Sequence, residues 1–156
     1  MKKMIALALS TLCILGLTAC GPKEAPAKAY DVDAPAALQK AGAFSEQLES
    51  LDAETGFMLY HLGDYGLSPE DLTQCSILRS SGATCEESAV LVLADEAKAA
   101  KAAEALEAYV KDQIEANTDY RPEEIPKLEK ALVNQQGSTV LLVVSNEMEI
   151  ANAALK

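Results

Sequence analysis

The amino-acid sequence predicts an α+β fold, a single domain of about four mostly antiparallel strands packed by three to four helices. Three observations lead there. Two runs, Ser88 to Ala94 and Thr139 to Val144, are apolar at nearly every position, as central strands covered on both faces must be. Between them Asp95 to Asn117 is rich in Ala, Lys and Glu with helical spacing. The strands also come in succession instead of alternating with helices, which favours an antiparallel sheet with helices set against it.

Taken in order, Asp33-Ala34-Pro35 is a helix start, and Leu38, Ala41, Phe44, Leu48 and Leu51 follow at three- and four-residue intervals, predicting a helix over 35–52. Gly56 breaks the chain, and 57–62, apolar and aromatic, reads as an edge strand. Ser68-Pro69-Glu70-Asp71 carries an N-cap, a Pro at the first helical position and a box-closing acid, so one helical turn is expected before the next strand. Residues 74–79 and 88–94 then form a hairpin across Ser80-Ser81-Gly82. The helix over 95–117 places Ala99, Ala103, Leu106, Val110 and Ile114 on one face. A second helix over 122–134 tolerates Pro126 only in its first turn, Gly137 stops it before the last strand, and 146–155 closes the chain as a short helix.

The first residues read as an address. Lys2 and Lys3 are a basic start, and Met4 to Gly16 is an apolar stretch too short for a span of roughly 20 residues. Leu17-Thr18-Ala19-Cys20 then resembles the bacterial lipobox, whose Cys receives a diacylglyceryl group before cleavage. The expected layout is a signal peptide over 1–19, a lipidated Cys20 with a Pro-rich tether over 20–35, and an extracytoplasmic domain over 36–156 at the cell membrane. At about 3 Å per residue that tether reaches roughly 45 Å.

Composition narrows the function. A net charge of −11 argues against nucleic acid and against anionic head groups, and it grows more negative when Lys2 and Lys3 leave. With no Trp, two Phe and one His, the chain has little with which to build an aromatic ligand pocket or a multi-His metal site, so no cofactor and no metal are expected. His61 stands alone, without the spacing of a hydrolase or zinc motif. Asp52-x-Glu54-x-Gly56 faintly resembles a calcium loop but lacks the remaining ligands. Glu86-Glu87 and Glu123-Glu124 read as solvated faces. An enzyme is therefore not expected.

The series Gly82-Ala83-Thr84-Cys85-Glu86-Glu87-Ser88-Ala89-Val90, then Tyr120-Arg121-Pro122-Glu123-Glu124 with Lys127-Leu128, then Gln136-Gly137 before Val140 to Ser145 resembles a domain of unknown function, numbered four-three-five-eight, found in small lipoproteins of Gram-positive anaerobes. The resemblance covers about residues 57–155 and implies a secreted lipoprotein domain without established activity or catalytic residues. Its pattern usually carries a small residue where this chain has Cys85.

Gly82, Thr84, Glu86 and Glu87 are thus a candidate loop. Thr84-x-x-Glu87 also satisfies a capping box, which needs no ligand. Tyr120 and Pro122 are a candidate surface, or simply a Pro-fixed helix start with Tyr120 packed over the preceding helix end. Cys75 and Cys85, an even pair in an exported domain, are candidates for a disulfide worth about 3 kcal/mol in the chain-entropy model, or are two free thiols. The expected function is a non-catalytic contact with another envelope protein. The alternatives are capture of a small ligand, or a thiol redox accessory built on Cys75 and Cys85.

Overall fold

Val90, Leu91, Val140 and Leu141 are fully buried, and they sit on the two strands around which the sheet is built. The computed structural model describes residues 29–156; the leader over 1–19, Cys20 and the tether through residue 28 lie outside the described residues. Helix α1 spans Ala34–Lys40, strand β1 Glu49–Leu51 and helix α2 Ala53–Leu59. Two 3₁₀ turns, Leu62–Tyr65 and Pro69–Asp71, lead into β2 at Leu72–Arg79, then β3 at Glu87–Leu93 and α3 at Glu96–Asn117. A third 3₁₀ turn, Pro122–Glu124, runs into α4 at Ile125–Leu128, followed by β4 at Leu132–Gln136, β5 at Thr139–Val144 and α5 at Met148–Ala154.

The strand order is β1-β2-β3-β5-β4, and every neighbouring pair is antiparallel. This is the expected α+β architecture with five strands instead of about four. The two-residue period of a strand sends alternate side chains to opposite faces. Ala89, Leu91, Val140, Leu142 and Val144 join the core against α2 and α3, while Val90, Leu141 and Val143 join a second core with Leu38, Phe44 and Leu48. Each buried aliphatic side chain contributes about 1.5–3 kcal/mol, so the strands that read as continuously apolar carry much of the stability.

Four expectations are corrected. The helix over 35–52 ends at Lys40, because Gly42 takes φ +81 in the left-handed region; Leu38, Phe44 and Leu48 are buried as their spacing implied, but the last two lie on irregular chain. The edge strand over 57–62 is instead helix α2 and the start of a 3₁₀ turn. Asp52 caps that helix by accepting the Thr55 N–H at 2.7 Å, and Gly56 lies inside it, where a Cβ would stand 2.2 Å from Ile77 Cδ1. The helix over 122–134 stops at Leu128, since Leu132 and Val133 pair with Val143 and Leu142 of β5; Gly137, at φ +56, turns the hairpin. Tyr30, assigned to the tether, is bound to the domain: its N–H donates to Thr139 Oγ1 at 2.9 Å and its hydroxyl accepts from Asn134 Nδ2 at 2.5 Å.

The helix over 95–117 and the 3₁₀ turn after Ser68 form as expected, with Asp95 accepting the Lys98 N–H and Asp71 accepting the Ser68 N–H at 2.9 Å. Among the described residues no helix is long and apolar enough to cross a membrane.

Candidate functional site

The two segments singled out in the sequence, Gly82–Glu87 and Tyr120–Glu124, meet at one end of the sheet. Arg121 Nη1 donates to the Gly82 carbonyl at 3.0 Å, and the Cys85 N–H donates to Glu124 Oε2 at 2.6 Å. That end carries Arg79, Glu87, Val144 and Leu132; Thr139 and the Tyr30 contact lie at the other. Five steps of about 3.3 Å along β5 put them roughly 17 Å apart.

Strand alternation explains the two glutamates. Glu87 opens β3 and Glu86 immediately precedes it, and the two point to opposite faces, so each serves a different layer. Glu86 accepts the N–H and hydroxyl of Ser45 at 2.8 and 2.7 Å and the Asn146 N–H at 3.4 Å, which holds the chain after α1 and the end of β5 together. Glu87 accepts the hydroxyls of Tyr60 at 2.5 Å and Tyr109 at 2.8 Å, and lies 3.3 Å from Nε of Arg79, its partner in the strand register. The two tyrosine rings pack edge to face with centroids 5.1 Å apart. Burial raises the Glu87 carboxyl above the usual carboxylate range, against the pull of the two tyrosine hydrogen bonds and Arg79. Burial first, and then the Glu87 charge, raise both tyrosines.

Glu86, Glu87 and Glu124 are buried, so they are not the solvated faces expected of them. Glu124 also pairs with Lys127 at 3.1 Å. Thr84 is not a helix cap, because a strand follows it: its hydroxyl donates to Glu46 Oε1 at 2.7 Å and accepts the Glu86 N–H at 3.0 Å. Hydrogen bonds from Ser80 and Thr84 hold the Glu46 carboxyl below its ordinary range. Gly82 takes φ +125, which favours glycine.

Pro122 opens its 3₁₀ turn as expected, but Tyr120 does not pack over the helix end. It is 81% exposed, with the Arg121 guanidinium 5.9 Å from its ring centroid. Cys75 and Cys85 are free. Cys75 lies opposite Leu91 in mid-strand, whereas Cys85 lies in the loop beyond Arg79; the four residues from Cys75 to Arg79, at about 3.3 Å each, already separate their levels by roughly 13 Å, against a disulfide Cα separation below about 7 Å. Burial raises both thiols. Sequence reasoning passed over Arg79, Tyr60 and Tyr109, which join Glu87 only through the tertiary fold; the one available signal was the place of Glu87 at the head of an apolar strand, where a carboxylate needs partners.

No curated protein and no solved structure matches the chain. A family model does match, over residues 61–145, a stretch that takes in Glu87, Tyr109 and both segments meeting at this pole, and the chain therefore belongs to that family, a domain of unknown function (DUF4358).

Proposed function

We propose that this chain is a non-catalytic extracytoplasmic lipoprotein domain, held at the cell membrane by acyl chains on Cys20, which presents the pole formed by Gly82–Thr84 and Tyr120–Pro122 to another envelope protein. One observation carries the reading. The two segments converge at the end of the sheet away from Tyr30, so a chain tethered through its N-terminal side holds Tyr120 and Arg121 outward. Tyr and Arg are among the residues enriched at interface hot spots, and here Arg121 is braced by Gly82 and Asn117 before any partner arrives. Support for a non-catalytic role comes from the carboxylates: Glu86, Glu87 and Glu124 are each engaged by two or more groups of the fold, which leaves none poised for proton transfer. The separation and burial of Cys75 and Cys85 count against the thiol redox alternative.

The test is in-cell cross-linking with a photoreactive residue in place of Tyr120, compared with the same residue in place of exposed Glu70 at the opposite end. One dominant protein captured from the Tyr120 position and not from Glu70 is the expected result. Capture of nothing, or the same pattern from both positions, overturns the reading. Cys20→Ala is expected to release the chain from the membrane fraction and to abolish that capture.

A further inference from the structure

A second feature, independent of that pole, is the outer edge of the sheet at β4. Gly137 and Ser138 form a two-residue turn between β4 and β5, so the flanking pair Gln136 and Thr139 exchanges both backbone hydrogen bonds, and the pattern alternates back along the strands. Leu132, Asn134 and Gln136 therefore direct their N–H and C=O groups at β5, whereas those of Val133 and Gln135 point away from the sheet. Among the described residues no other segment pairs with these outward groups.

Edge strands are ordinarily kept from pairing by a charge, a proline, a bulge or extreme shortness. The opposite edge follows this rule, since β1 has three residues and carries Glu49. Strand β4 does not: Leu-Val-Asn-Gln-Gln holds no charge and no proline, and its register with β5 runs without a break. In a chain of net charge −11, a neutral edge is also where two copies meet with least repulsion. Beside it, under α3, Val110, Ile114, Leu128, Ala131 and Val133 line a shallow groove of about 270 Å³.

We propose that β4 pairs antiparallel with β4 of a second copy of this chain, about a twofold axis at Asn134, to make one continuous sheet. The register is self-complementary. Val133 of each copy faces Gln135 of the other, which satisfies every outward N–H and C=O of both residues. Asn134 meets its own counterpart on the axis; its Nδ2 already donates to the Tyr30 hydroxyl, so its Oδ1 and second N–H remain to bond the other amide. The incoming strand lies along the groove beside Val133 and adds apolar burial to the backbone bonds. Because one edge of each copy is open and the other is not, the pairing closes as a dimer and does not extend into a fibre. The axis is perpendicular to the sheet, so both copies keep α3 on one side and Tyr30 on the other. Both N-terminal segments then leave from the same side, as chains anchored in one membrane need, and the two poles stay uncovered at opposite ends.

Disulfide trapping in the full chain tests both the contact and its register. In Asn134→Cys the two substituted positions face each other with Cα atoms about 4.5 Å apart, within bonding range, whereas in Gln136→Cys they are four residues out of step, roughly 13 Å. Oxidation with diamide in intact cells is expected to give a disulfide homodimer of Asn134→Cys at least tenfold above that of Gln136→Cys or the parent chain. Adding Gln135→Pro, which removes an N–H that β5 does not use, should cut that yield at least tenfold. Sedimentation of the unsubstituted full chain in detergent should show a concentration-dependent dimer, and Asn134→Lys, which sets like charges face to face, should leave it monomeric. Absence of the Asn134→Cys homodimer or equal yields at the two positions overturns the proposal. So does a disulfide to a different protein, which would mean that the edge takes an extended segment of another chain. Asn134 is exposed, so the trapping result stands even if the Gln135 variant fails to fold.

Discussion

Glu87 gathers the side chains of Tyr60, Tyr109 and Arg79 onto one buried carboxylate. Removing its carboxylate strands two buried phenol hydroxyls and the half-buried guanidinium of Arg79 together. Glu87→Ala is therefore expected to cost about 3–5 kcal/mol in urea unfolding, whereas Tyr109→Phe, which removes one hydroxyl, should cost about 1 kcal/mol. The pH dependence of two acids runs in opposite senses. Glu87 is raised in the folded state, so the fold binds more protons there than the unfolded chain does, and this group's contribution to stability falls as pH rises through that interval. Asp71 is lowered from 3.8 to about 2, first by its hydrogen bond from Lys98 and then by the Ser68 N–H. Its contribution is complete above the unfolded value and is lost as pH falls from about 4 toward 2. The stability difference between the parent chain and Asp71→Asn should accordingly be largest near neutrality and vanish toward pH 2 when unfolding is followed across that range.

At the scale of elements, helix α2 crosses β2 at the one place where a side chain is missing. Alanine is ordinarily about 1 kcal/mol better than glycine within a helix, yet a Cβ at position 56 would stand 2.2 Å from the Cδ1 of buried Ile77. Overpacking of that kind costs about 1–3 kcal/mol, so Gly56→Ala should destabilise despite its helix propensity. Adding Ile77→Val, which deletes that Cδ1, should recover most of the loss, and a double-mutant cycle read by thermal unfolding measures the coupling. The same crossing explains what could be read in advance. Strands β3 and β5 and helix α3 were legible because each announces itself by a local pattern long enough to count. Strands β1 and β4 were not, since three and five residues take strand form only when β2 and β5 are beside them, and Lys127 to Leu132 has the composition of a helix until Leu132 finds Val143. Gly56 misled for the same reason, because its absent side chain answers to Ile77, a residue 21 positions away.

At the scale of the whole molecule, the binding of Tyr30 to β4 and β5 takes that residue out of the proposed tether and into the domain. The candidate pole was half legible on this scale: both of its segments stood out in the sequence, but their meeting across 39 positions, and the engagement of Glu86 and Glu124 within the fold, needed tertiary structure. The alternation of Glu86 and Glu87 carries a last consequence. If β3 slid by one residue against β2 and β5, Glu87 would turn toward the core of Leu38 and Phe44, and its successor Ser88 would face the two tyrosines without a charge to accept them. Central strands as uniformly apolar as these have little else to tell one alignment from the next, and the adjacent carboxylates act as a two-pin key that admits a single alignment during folding.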